Sequence, residues 1–255
     1  MEADKTVLYA VQGATALITL NRPAKRNALN DALIDGIKTA LRAADGDEAI
    51  RAILISGAGK DFCSGADLAA LQKISESSII ENLEDAQRLM ELFQLIRRVR
   101  VPVVAAVRGR ALAGGCGLAT ACDILLAARE ARFGYPEVKI GFVPAIVMGI
   151  LRRNISEKRA FELITRGDEI SADEAERIGL VNHVFETATF EAEVEAFMRG
   201  FEKVSRSAAM LSKRLLYHID GLTFDSALQA GADLNAIARM TEDCQKGIAR
   251  FLKKD

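Results

Sequence analysis

The 255-residue chain is poor in the residues that most often build metal and redox sites. It has no Trp and only two His, His183 and His218, so a His-rich metal centre is excluded. Its four cysteines, Cys63, Cys116, Cys122 and Cys244, contain no C-x-x-C pair, which excludes a zinc ribbon and a thioredoxin-type motif. No apolar run reaches membrane-spanning length; the run at 101–107 is strand-sized and stops at Arg108. Residues 1–5 carry no basic stretch ahead of an apolar core, so no signal peptide is expected, and the expected location is the cytoplasm. Charge of one sign is also lacking: 34 basic against 35 acidic residues leaves −1. That balance gives no general pull on a polyanion, and neither nucleic acid nor a membrane is an expected partner.

What the chain has in quantity is apolar sequence and glycine. Half of the residues are hydrophobic, enough for a packed core and incompatible with a disordered chain. Apolar runs at 7–11 and 16–20, parted by Gln12-Gly13, predict a β-hairpin. Asn21-Arg22-Pro23 breaks the second strand. Leu29, Leu33, Ile37 and Leu41 then recur at helical spacing over 27–44. Residues 50–56, 102–107 and 123–128 read as strands, and Leu89, Leu92, Phe93 and Ile96 mark an amphipathic helix. The cycles beginning at Ala52, Pro102 and Asp123 share one plan: an apolar strand, a short second segment, then a helix. This predicts a repetitive α/β winding. From about Ser156 the strand signal fades, and Ser171-Ala172-Asp173-Glu174 reads as a helix-opening capping box. A soft boundary at 187–190 separates a core, 1–189, from a helical region, 190–255.

Single motifs carry little. The glycine-rich stretch 109–117 lacks the G-K-[ST] ending of a P-loop and the G-x-G-x-x-G spacing of a dinucleotide fold. Ser64-Gly65 is no nucleophile elbow, because Phe62 stands where the first glycine belongs. Arg97, Arg98 and Arg100 read as a solvated helix end, and His183 and His218 as structural residues on apolar segments.

The combination carries more. Asn21-Arg22-Pro23 with Asn27-Ala28-Leu29 comes first. Phe62-Cys63-Ser64-Gly65-Ala66-Asp67-Leu68 follows, then Ala111-Leu112-Ala113-Gly114-Gly115-Cys116-Gly117-Leu118-Ala119. Cys122-Asp123 and Phe133-Gly134-Tyr135-Pro136-Glu137 come next, with Gly141 and Pro144 after them. In this order and spacing the chain resembles the crotonase family, the enoyl-CoA hydratases and isomerases, over nearly its whole length. The resemblance implies a spiral of repeated ββα units with a C-terminal helical region that builds homotrimers, often paired into hexamers. It implies an acyl-CoA substrate, with CoA arriving as part of that substrate and no further cofactor or metal. The thioester oxyanion would be held by the backbone N–H groups of Ala66 and Gly114, and two preorganised donors are what a developing enolate requires. Along the CoA path the resemblance places Arg26, Ala28, Ala66, Asp67 and Leu68, with Lys254 reaching CoA on a neighbouring subunit.

One position departs from the family. Family hydratases hold water between two glutamates. The second matches Glu137, but Gly117 stands where the first belongs. One carboxylate suffices for a 1,3-proton transfer, which favours double-bond isomerisation. Hydration stays open if a substitute acid comes from Glu76, Glu81, Glu84 or Asp85, or a donor from Tyr135. On the plainer reading, Gly117 simply enlarges the acyl pocket. Further alternatives are a methylglutaconyl-CoA hydratase, an acyl-CoA decarboxylase or lyase, and a CoA-thioester- or RNA-binding protein with little activity; the absence of a long basic stripe argues against RNA.

Overall fold

The structure is a computed structural model that describes residues 5–253. Strands β1 (Val7–Gln12) and β2 (Thr15–Leu20) form the expected antiparallel hairpin. Helix α1 (Asp31–Gly46) follows, capped by the Asn30 side chain, which accepts from Leu33 N at 3.0 Å. Next come β3 (Ala52–Gly57), α2 (Leu68–Glu76) and α3 (Ile79–Arg98). Then β4 (Val103–Val107), β5 (Arg110–Leu112) and α4 (Gly114–Ala121) make one full turn of the spiral. Strands β6 (Ile124–Ala128) and β7 (Arg132–Gly134) begin the next, leading to α5 (Ala145–Asn154) and α6 (Glu157–Arg166). The chain continues through β8 (Ile170–Ser171), α7 (Ala172–Arg177) and β9 (His183–Phe185). It ends in α8 (Phe190–Arg199), α9 (Arg206–His218), α10 (Phe224–Arg239) and α11 (Glu242–Leu252).

Each cycle lays one strand in a large sheet and the next segment in a small one. The large sheet runs β1-β2-β3-β4-β6-β9, parallel after the hairpin; the small one runs β5-β7-β8. This is the crotonase spiral of ββα units. All five residues of β4 are buried, because the sheet is covered on both faces. Val103, Ala105 and Val107 face the main core with α1, α3 and α4. Val104 and Ala106 face the other way, against Phe190, Val194 and Met198 of α8. Those three recur every four residues, one helical stripe, and each contributes about 1.5–3 kcal/mol by burial.

Helix α8 therefore packs as part of the sheet core. Beyond it α9 is pinned by one buried side chain. Lys213 Nζ donates to Ile96 O at 2.9 Å and Val101 O at 3.0 Å and pairs with Asp123 at 2.7 Å. Asp123 also accepts from Tyr217 Oη at 2.6 Å. Helices α10 and α11 bury no residue.

Two local expectations differ. Strand β9 closes the edge of the large sheet inside the stretch where strand signal fades; three residues suffice because β6 supplies the ladder, and Asn182 Oδ1 accepts from Leu125 N. Ser171 caps α7 through Glu174 N at 3.2 Å, but the box is half made. The Glu174 carboxylate turns instead to Arg177, two charge-assisted bonds of 2.6 Å each. His183 stacks among Phe185 and Phe197, a structural role.

Candidate functional site

The site begins with how two loops are tied together. Leu29 N donates to Gly65 O at 2.7 Å, and Asp67 N donates to Leu29 O at 3.0 Å. This is a parallel bridge between Leu29 and Ala66, so the Ala66 N–H points to the opposite side. A second bridge joins Cys63 to Ala111, with Cys63 N to Arg110 O at 3.1 Å and Leu112 N to Cys63 O at 3.0 Å. Ala113 then turns the chain into α4 at φ +50°, ψ −128°, a conformation that L side chains rarely adopt. Ala113 N is held by Gly134 O at 2.8 Å, which fixes the turn. Gly114 is the first residue of α4, so its N–H has no intrahelical acceptor. Among the described residues, neither Ala66 N nor Gly114 N donates a hydrogen bond.

Glycine is required at the joint between these loops. Gly65 has φ +94°, and a Cβ there would stand 2.8 Å from Ala113 Cβ. A Cβ on Gly115 would meet Cys63 Cβ and Sγ at 2.7 Å. Both glycines let the two candidate donors approach one another. The Ala66 loop is further clamped by Arg22, which pairs with Asp67 at 2.6 Å and also donates to Ala28 O. That guanidinium holds the Asp67 carboxyl below its ordinary value. Buried Asn27, at φ +52°, bonds Ala58 O at 2.9 Å, Asp61 O at 2.8 Å and Arg22 N at 2.8 Å.

Ala66, Gly114 and Glu137 line one cavity of about 620 Å³. Glu137 sits on a short 3-10 helix, Pro136–Ile140, three residues past the Gly134 carbonyl that anchors Ala113. Its carboxyl is half-buried, and Oε2 is buried with no hydrogen-bond partner among the described residues. Burial raises its pKa above the ordinary 4.5, partly offset by its own backbone amide. On α3, Asn82, Asp85, Ala86 and Leu89 line the same cavity at i, i+3, i+4 and i+7, one helical face. Of the four substitute acids, Asp85 alone lines the cavity. Glu81 is used in a capping box with Ser78, and Glu76 accepts from Gln72. Tyr135 is fully buried with its hydroxyl 3.0 Å from Thr120 Oγ1, a packed aromatic and not a donor to the cavity.

Gly117 does not enlarge the pocket. It is buried in α4, and a Cβ there would stand inside 3.0 Å of Val147 Cγ1 and 3.2 Å from Phe93 Cζ. The volume that an acid would take is filled with hydrocarbon from α5 and α3.

Of the expected CoA contacts, Arg26 is exposed at φ +49°, Ala28 is buried with its carbonyl taken by Arg22, and Asp67 caps α2, which Leu68 opens. Arg26, Ala28 and Asp67 flank the Ala66 loop and are not among the described residues that line the cavity. Lys254 lies outside the described residues. The residue that sequence reasoning passed over is Val147; its only signal was the helical spacing that places it, with Leu151, on the buried side of α5. No three His, Cys, Asp or Glu side chains cluster as metal ligands among the described residues. Nor is any described helix long and apolar enough to cross a membrane.

A spiral whose loops bring Ala66, Gly114 and Glu137 to one cavity matches the crotonase class. The enoyl-CoA hydratase/isomerase family model matches residues 10–255, and the chain belongs to that family. It is 38% identical over 243 residues to a Thermus thermophilus protein assigned to the enoyl-CoA hydratases, covering 95% of this chain and 96% of that one. It is 35% identical to the crotonyl-CoA hydratase of Syntrophomonas wolfei, covering 99% and 96%. The crystal structure of enoyl-CoA hydratase from Mycobacterium smegmatis superposes with a TM-score of 0.93 at 31% identity, covering 98% and 96%. The activity is of the enoyl-CoA hydratase/isomerase type, on acyl-CoA thioesters.

Proposed function

We propose that the protein moves the double bond of an enoyl-CoA thioester by a 1,3-proton transfer, with Glu137 as the single acid/base. The observation that carries this reading is the unpartnered, buried Oε2 of Glu137 in a cavity with no acid at 117. The Glu137 carboxylate removes a proton from C2 of a 3-enoyl thioester. The electron pair passes into the thioester carbonyl, whose oxygen accepts from Ala66 N and Gly114 N. The same carboxyl then delivers the proton to C4, leaving the 2-enoyl product; no atom is gained or lost. Each donor is worth roughly 3–4 kcal/mol of transition-state stabilisation. Burial suits Glu137 to both halves, since a raised pKa makes the protonated form a usable intermediate.

CoA lies along the Ala66–Leu68 loop in this reading, with Arg26 and Ala28 at its border and Lys254 supplied by a neighbouring copy. Self-association is supported by Leu216, Phe224, Leu228, Ile237 and Phe251, exposed on three successive helices, and by Met240 in the turn between the last two. Monomers usually scatter such residues singly. A trimer or hexamer is expected by light scattering; a 27.6 kDa particle rejects it.

Water addition is the second reading, favoured by Asp85 in the same cavity. Incubation with 2-enoyl- and 3-enoyl-CoA thioesters, following mass and double-bond position together, separates the two. Constant mass with a shifted double bond supports isomerisation. A gain of water as the main product replaces it with hydration, and loss of carbon dioxide replaces it with decarboxylation.

A further inference from the structure

Val147 stands where two constraints meet. It lines the cavity that Ala66, Gly114 and Glu137 share, and it is 4% exposed. Its Cγ1 also fills the volume that a side chain at 117 would occupy, backed by Phe93. Valine in a helix is stiff at χ1, and α5 is anchored by Val147 and Leu151 together. The methyl therefore cannot swing aside cheaply. A water held for addition needs hydrogen-bonding partners on more than one side. Glu137 supplies one side, and Val147 offers none.

We propose that Val147 is the residue that decides the reaction outcome: it closes the position of a second acid and presents hydrocarbon to the substrate beside Glu137. This rests on the reading of Glu137 as the lone acid/base. In hydration of a 2-enoyl thioester, the oxygen of water bonds to C3, one water proton passes to Glu137 and from it to C2, and the other stays on the new hydroxyl. With a methyl where that water would be gripped, the proton that Glu137 carries comes instead from C2 of a 3-enoyl thioester and goes to C4, so the double bond moves. Gly117 is then a consequence of Val147, since neither can become larger while the other stays.

Two measurements test this. The steric half is read by thermal unfolding. Gly117→Ala is expected to lower the Tm much more in the native background than beside Val147→Gly; equal losses in the two backgrounds overturn the coupling. The chemical half is read as the ratio of hydrated to isomerised product. Val147→Gly with Gly117→Glu is expected to raise that ratio at least tenfold, while Gly117→Glu alone is expected to misfold or leave it flat. Val147→Thr keeps the shape and exchanges one methyl for a hydroxyl, so it serves if the double variant does not fold; an increase of about threefold is expected. A folded Val147→Thr or double variant with an unchanged ratio overturns the proposal. A native enzyme that turns over no enoyl thioester instead overturns the reading of the function, and the unfolding experiment still reports on the coupling.

Discussion

Replacing Glu137 with glutamine tests the mechanism most directly. The amide is nearly isosteric, so the 3-10 turn held by Phe142 N on Glu137 O at 3.0 Å should persist. What is lost is a proton acceptor of the right basicity. General acid–base catalysis contributes about 10²–10⁴-fold, or roughly 3–5 kcal/mol at 1.36 kcal/mol per decade. Turnover of 3-enoyl-CoA should fall by that factor, with product-CoA affinity within about threefold of native by calorimetry. The pH profile gives a second readout. The base must be ionised in free enzyme, and burial raises its pKa above 4.5, so the acid limb of kcat/KM should lie above that value and vanish in the variant. Stability follows with its sign. A carboxyl with a raised native pKa binds more protons folded than unfolded. Its contribution is full below 4.5 and is lost as pH rises through the native value. Glu137→Gln should remove that slope. Turnover within threefold of native, or an unchanged acid limb, would refute Glu137 as the acid/base.

Gly114→Pro deletes one candidate oxyanion donor at the first position of α4 but strains the Ala113 turn before it, so near-UV circular dichroism must first establish a native fold; in a folded variant kcat should fall about 10²–10³-fold, and native kcat there removes Gly114 from the site. Arg22→Met breaks the clamp on Asp67 and Ala28, and should cost about 1–3 kcal/mol by denaturant unfolding and lower kcat more than it raises KM; a change confined to KM would place Arg22 on CoA instead. Asp85 makes no ion pair among the described residues, and the cavity's Lys139 is engaged by Asp168 at 3.2 Å. A distal carboxylate at about 4 Å from Asp85 would cost about 4 kcal/mol at an effective dielectric near 20. Asp85→Asn should therefore raise kcat/KM for glutaconyl-type thioesters at least tenfold while leaving crotonyl-type ones unchanged, and equal effects on both would refute this selection.

The winding was legible because each cycle repeats a strand whose buried residues alternate between two covered faces, as Val103, Val104 and Ala105 do. In sequence those positions form a continuous apolar run of strand length, whatever surrounds them. The helix containing Leu89, Leu92, Phe93 and Ile96 was legible through its period of 3.6. The edge strand His183–Phe185 was not, since three residues carry no periodicity and their partner lies far along the chain. Ala66, Gly114 and Glu137 are candidates only by resemblance. Two of the three are proposed for a backbone N–H, and no side-chain chemistry advertises such a role. The alternative reading of Gly117, added acyl space, fails because a sequence shows which side chain is missing and not what fills the gap. Val147 is about thirty residues away, and its contact with Gly117 exists only once α4 and α5 pack.

That contact shows where change in such a site can occur. The candidate oxyanion donors are peptide groups, fixed by the bridges at Leu29–Ala66 and Cys63–Ala111 and by an Ala113 turn strained by about 1–3 kcal/mol. Nothing in that framework depends on which acids face the cavity. The framework in turn tolerates little, because Gly65 and Gly115 are each closed in by the opposite loop. On the proposed mechanism, catalytic outcome is left to side chains lining the same cavity, Asp85 on α3, Val147 on α5 and Glu137 on its short helix. Such a division lets the enolate chemistry persist while the fate of the proton changes. It also implies that residues 117 and 147 must change together, since a carboxylate at 117 beside an unaltered Val147 has no volume to enter.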